Sequence, residues 1–230
     1  MDAWTTNTVQ AADRVSAFLW KVYGWMAVGL GLTAVVAFAV AGSPEILRTL
    51  VGNRLVFFGL VIAELGLVFY LSARADRMAP GTAAGLFTLY SALNGVTLSV
   101  VLLAYTGESV TTTFVVTAGM FGALALFGST TKRSLAGAGQ FFMMGLVGLI
   151  LASIVGVFWH SDALQFLISV VGVIVFTGLT AWDAQRLKQM ALAIPEGESG
   201  SYAIVGALSL YLNFINLFLI LLRFQGGSRD

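Results

Sequence analysis

The amino-acid sequence predicts an all-α integral membrane protein, a seven-transmembrane-helix bundle with the seventh helix central. Three observations carry that prediction. Of 230 residues, 58% are hydrophobic and 10% charged, whereas a water-soluble domain needs about 25% charged residues to solvate its surface. Apolar runs of the length that crosses a hydrocarbon core about 30 Å thick recur seven times along the chain. The last run carries a stripe of polar side chains, which lipid cannot satisfy, so that helix has to face its neighbours or a hydrated cavity.

The runs follow in order, separated by ions and turn formers that are costly in hydrocarbon. The first, Val22–Ala41, stops at Gly42-Ser43-Pro44, and the second, Leu55–Ser72, at Arg74-Ala75-Asp76-Arg77. The third, Ala83–Ala104, precedes the fourth, Thr111–Phe127, which closes on Thr131-Lys132-Arg133. Phe141–Trp159 and Phe166–Trp182 form the fifth and sixth, and Ala203–Phe224 the seventh. The longest hydrophilic break, Asp183 to Tyr202, is expected to be the most mobile loop. Pro44, Pro80 and Pro195 are the chain's 3 prolines and all fall in breaks, so the spans lack proline kinks. Glycines such as Gly81, Gly85, Gly145 and Gly148 are expected to allow close helix packing. The organisation is therefore a tail over residues 1–21, a membrane domain over 22–224 and a short tail over 225–230.

Charge sets the orientation. Arg14, Lys21, Arg74, Arg77, Lys132, Arg133, Arg186 and Lys188 fall on one side of the seven spans, and Arg48, Arg54, Arg223 and Arg229 on the other. The positive-inside rule then places the N-terminus in the cytoplasm and the C-terminus outside. The first twenty residues are mixed polar and do not read as a cleavable signal, so the first span serves as its own. Trp20, Tyr23, Trp25, Tyr70, Tyr105, Trp159 and Trp182 stand where an interfacial aromatic belt would.

Composition also excludes functions. Cysteine is absent and histidine occurs once, as His160, which removes thiol chemistry and most of the material for metal or general-base catalysis. An enzyme is not expected, nor a cofactor, nor a tightly bound metal. The formal net charge of +1 without a basic block argues against nucleic acid as a partner. His160, beside Asp162, reads as a solvated loop residue.

A few polar groups inside the spans need reasons. Glu64 falls mid-way along the second span, where a carboxylate costs roughly 2.5 kcal/mol or more unless protonated, paired or hydrated. It reads as part of a pathway or as a hydrogen-bonded tie between helices. Thr177, Thr180 and Asp183 share one face of the sixth helix by their spacing. Asp183 is a candidate functional carboxylate, or else an interfacial one paired with Arg186 or Lys188. Gly206, Ser209, Asn213 and Asn216 form the stripe on the seventh helix, and Asn94 adds an amide in the third. These amides either cross-link helices or line a path.

Several stretches resemble the Bax inhibitor-1 family, also called the transmembrane BAX inhibitor motif family, in its bacterial members. They are LTAWDAQRLKQM at 179–190, GALSLYLNFINLFLILLRF at 206–224, ELGLVFYLSAR at 64–74, LNGVTLSVVLLAYTGES at 93–109 and FGSTTKRSLAGAGQFFMMGLVGLI at 127–150. The resemblance implies a seven-helix bundle around helix 7, a bacterial cytoplasmic membrane, and a pH-sensitive calcium leak. It also implies a gate in which two aspartates of helices 6 and 7 share a proton. The first is Asp183; at the second position this chain has Asn213. Arg74 is the basic residue that would compete for Asp183.

The substitution has a physical consequence. Two carboxylates about 4 Å apart at an effective dielectric near 20 repel by roughly 4 kcal/mol, enough to make one of them hold a proton near neutral pH. An asparagine supplies no such repulsion. Asp183 and Asn213 are thus expected to keep the latch geometry and lose most of its titration near pH 7. Calcium takes six to eight oxygen ligands, and Glu64 and Asp183 are the carboxylates inside the spans, so weak transit is expected rather than storage. The alternative implied by the resemblance is a non-transporting regulator that binds a membrane-anchored AAA protease of the FtsH type through residues 1–20.

Overall fold

The computed structural model describes residues 3–74, 77–159, 161–195 and 199–225. Among them are eight helices: α1 (Ala3–Ala41), α2 (Pro44–Gly52), α3 (Arg54–Ala73), α4 (Pro80–Ala104), α5 (Gly107–Thr130), α6 (Ala136–Phe158), α7 (Asp162–Ala193) and α8 (Ser199–Gln225). Seven of these, all but α2, are long and apolar enough to cross a bilayer. The chain is an all-α, multi-pass membrane protein.

Its surface is apolar where a soluble protein would be polar. On α6, Met144, Val147, Leu151, Ile154 and Phe158 are all exposed, and their spacing of three and four residues puts them on one face. Leu55, Phe58, Ile62, Leu65 and Phe69 do the same on α3. Faces this large and apolar need lipid as their solvent. The last span is the most deeply placed: 72% of its most apolar window is buried, against 11–39% for the other six. That agrees with the polar stripe on its sequence.

Two features depart from the sequence expectation. The break after the first span holds a short helix, α2, rather than a loop. Ser43 stands at its N-cap with Pro44 at the first helical position and Glu45 in the first turn, a start signal that hydropathy does not register. The break from Asp183 to Tyr202 is mostly helix, because α7 continues to Ala193. The segment is rich in helix formers up to Pro195. It buries Ala184, Leu187, Ala191 and Ile194 at helical spacing while Arg186 and Lys188 face out. A helix of this kind has low average hydropathy and still a buried stripe.

The chain divides into two compact units. The first comprises Met1–Tyr105 with Gln189–Tyr211, and so contains α1 to α4, the end of α7 and the first half of α8. Here α1 runs beside α4, and a Cβ on Gly95 would stand 2.7 Å from the Thr33 carbonyl oxygen. Tyr211 packs edge-on to Phe87 at 5.8 Å and to Tyr90 at 5.7 Å. Arg14 donates to the Ile194 carbonyl at 2.8 Å, and Lys21 to Ser199 at 3.2 Å. The helical N-terminal segment is thereby fixed to the α7–α8 connection.

The second unit comprises Thr106–Lys188 with Leu212–Gly227. Its core joins Leu149 of α6, Ile168, Val175, Phe176 and Leu179 of α7, and Leu217 and Leu221 of α8. Phe214 meets Phe114 at 5.3 Å and Phe121 at 5.6 Å. Close approaches include Gly128, against the Ala181 backbone, Gly139, against the Trp182 indole, and Gly178, against the Phe142 ring. Gly81, Gly85 and Gly148, read as packing residues, would meet nothing within 4 Å if given a Cβ. Gly145 is tighter, with the Val175 side chain at 3.0 Å.

Candidate functional site

Each unit holds one buried polar centre. In the second, the spacing of Thr177, Thr180 and Asp183 along α7 puts their side chains on one face. Asp183 and Asn213 are each 6% exposed, and Asn213 Nδ2 donates to Asp183 Oδ2 at 2.8 Å. A buried carboxylate needs such a donor, since leaving it unmade costs more than the bond contributes. Thr180 returns its hydroxyl to the Phe176 carbonyl at 2.7 Å. The buried Thr177 hydroxyl, on the same face, has no hydrogen-bond partner among the described residues.

The reading of Asp183 as the partner of Arg186 or Lys188 does not hold. Arg186 lies over the Trp182 ring at 5.6 Å, and Lys188 donates to the Ser129 carbonyl at 2.9 Å. Both side chains point out of the stripe that carries Asp183 inward. Beside them Gln185, which sequence reasoning passed over, does specific work. Its Nε2 donates to the Arg133 carbonyl at 2.9 Å and its Oε1 accepts from the Leu135 N–H at 2.7 Å. One side chain thus satisfies a backbone donor and a backbone acceptor of the connection between α5 and α6. A glutamine on the buried stripe of a helix extension was the available signal.

In the first unit Glu64 is buried on α3. It accepts from Thr97 Oγ1, and from Asn94 Nδ2 at 3.3 Å. The Asn94 amide oxygen accepts from the Tyr211 hydroxyl at 3.0 Å. Tyr211 in turn is 2.7 Å from Thr33 Oγ1, which donates to the Ser91 carbonyl at 2.8 Å. Four helices therefore contribute to one polar chain: α3, α4, α8 and α1. Glu64 and Asn94, chosen separately from the sequence, belong together. Thr97, Tyr211 and Thr33 were not foreseen.

The remaining candidates occupy other surroundings. Arg74 caps the C-terminal end of α3, exposed, with its guanidinium over the Tyr70 ring at 5.6 Å. Asn216 on α8 returns its amide to the Leu212 carbonyl at 2.8 Å, one turn back. Ser209 is half-buried on α8. His160 lies outside the described residues, as does most of the 225–230 tail.

Comparison with known proteins agrees with this architecture. The family described as inhibitor of apoptosis-promoting Bax1 matches residues 15–230. The inner membrane protein YbhL of Escherichia coli is 49% identical over 226 residues, covering 97% of each chain. A protein of Borreliella burgdorferi is 42% identical, covering 93% of each chain. A membrane protein of Streptococcus pyogenes is 36% identical, covering 95% of this chain and 96% of its own.

Proposed function

The chain belongs to the Bax inhibitor-1 family, and from that premise we propose that it is a slow cation leak of a bacterial inner membrane, passing calcium, closed at its cytoplasmic end by Asp183 held on Asn213. The observation that carries the reading is the buried hydrogen bond between these two side chains. A closure has to be dry, specific and breakable. A hydrogen bond to a charged group contributes about 1.5–3 kcal/mol, a strength that suits occasional opening, as in a leak, rather than a fast channel.

Once released, Asp183 is a carboxylate in a low-dielectric path and attracts a divalent cation. The Thr177 hydroxyl, six residues back on the same face, supplies a further oxygen of the hard type that calcium accepts. Arg74 competes for Asp183 in this reading. Because Asn213 cannot share a proton with Asp183, closure does not titrate steeply near neutral pH. Reconstitution into liposomes with an enclosed calcium dye tests the function. Flux above that of empty vesicles is expected, and its absence at every pH from about 5 to 8 overturns the reading.

A second reading is a regulator that binds a membrane-anchored AAA protease of the FtsH type. In its favour, the N-terminal segment is a continuous helical extension of α1 beginning at Ala3, a rigid handle rather than a loose tail. Deleting residues 1–20 then abolishes co-purification with the protease; unchanged association contradicts it.

A further inference from the structure

The polar chain of the first unit has one proton too few for its contacts. Three oxygen pairs stand at hydrogen-bond distance: Tyr211 with the Asn94 amide oxygen at 3.0 Å, Tyr211 with Thr33 at 2.7 Å, and Thr33 with the Ser91 carbonyl at 2.8 Å. Only the two hydroxyls can supply protons to them, one each, because the Asn94 amide nitrogen is turned towards Glu64. Two protons cannot fill three contacts. The shortage lies at fully or nearly fully buried groups, with Tyr211 at 0% and Thr33 at 3% exposed, where an unfilled contact is costly.

A single added proton removes the shortage. Turning the Asn94 amide over exchanges its oxygen and nitrogen without moving another heavy atom. A proton taken from solvent onto Glu64 Oε2 is then donated to the Asn94 oxygen. The Asn94 N–H donates to Tyr211, Tyr211 to Thr33, and Thr33 to the Ser91 carbonyl. Each contact now holds one proton, and Thr97 still donates to Glu64 Oε1. We propose that Glu64 is a proton-binding site whose occupancy is passed through the Asn94 amide to Tyr211 on α8 and Thr33 on α1.

The surroundings of Glu64 favour such a site. The titratable groups facing its carboxyl are Tyr90 of α4 and Tyr211 of α8, and α1 presents the neutral Thr33. The helix α2 also packs on α3. Among the described residues the carboxylate bonds to Thr97 and Asn94 and to no cationic side chain.

Infrared difference spectroscopy of the full-length protein in lipid, titrated with acid, tests the proposal. Wild type is expected to gain a protonated-carboxyl band, retained in Asp183→Asn and absent in Glu64→Gln, an isosteric change that fixes the acid arrangement with an amide donor. Tyr211→Phe and Thr33→Val, neither of which removes a hydrogen bond to Glu64, are each expected to move the midpoint of that band by about one pH unit, the scale of one hydrogen bond. A band that survives Glu64→Gln, or no band at all, overturns the proposal. So does a midpoint unmoved by both Tyr211→Phe and Thr33→Val, which remains readable even if Glu64→Gln does not fold.

Discussion

The polar centre of the second unit is built on the buried bond from Asn213 to Asp183, whereas that of the first is a chain running from Glu64 through Asn94 and Tyr211 to Thr33. The contrast teaches where each region can be modulated. A direct bond between two buried side chains has a definite broken state and suits a closure. A chain of hydroxyls and an amide that one added proton completes suits a response to protonation. In both units a glycine lets one helix approach a neighbouring backbone, Gly95 at the Thr33 carbonyl in the first and Gly128 at Ala181 in the second. The approach at Gly128 is the tighter of the two.

The largest effect is expected where backbones touch. Gly128→Val places a side chain on the Ala181 backbone and exceeds the usual overpacking cost of about 1–3 kcal/mol, so the protein is recovered poorly as a monodisperse species in detergent. Gly95→Val in the first unit has a smaller but clear effect, and Gly81→Val, facing open space, has none. Equal recovery of all three would erase the proposed difference between the regions.

Next come the carboxyl groups. Asp183→Leu strands the Asn213 amide in a buried place and costs about 1–3 kcal/mol. Glu64→Leu costs less, because Thr97 has the Leu93 carbonyl at 3.0 Å to return to and the Asn94 amide can turn over to donate to Tyr211. Thermal unfolding followed by size exclusion ranks the two, and the reverse order breaks the comparison. Gln185→Ala removes two bonds to the α5–α6 connection, about 2 kcal/mol in sum. Trypsin then cuts faster after Lys132 and Arg133, with the membrane helices intact. The smallest effect belongs to Arg14→Ala. It releases the partly buried bond to the Ile194 carbonyl, costs under about 1 kcal/mol, and shows as faster amide exchange over the last turn of α7.

How legible these features were follows from the kind of pattern each leaves. Spans of twenty apolar residues announce themselves, and all seven fall within helices. Helix α2 and the α7 extension escaped because average hydropathy cannot tell an amphipathic helix from a loop, although Ser43-Pro44-Glu45 and the run from Ala184 to Ile194 carried the signal. Asp183 and Asn213 were paired through motif resemblance. Thr33 and Tyr211 are 178 residues apart, and no spacing rule links them. Which hydroxyl meets which across two helices depends on rotation and depth, which sequence periodicity leaves open.

The central claim is that the chain is a calcium leak whose Asp183–Asn213 closure keeps the latch geometry without its titration. Calcium flux into dye-loaded liposomes, compared for wild type, Asp183→Asn and Asn213→Asp between about pH 5 and 8, tests it most directly. The account predicts measurable flux in wild type with no steep transition near neutral pH, and a steep one created by Asn213→Asp, because the second carboxylate restores the repulsion of roughly 4 kcal/mol. A steep wild-type transition abolished by Asp183→Asn, or an Asn213→Asp variant with an unchanged pH profile, would contradict it.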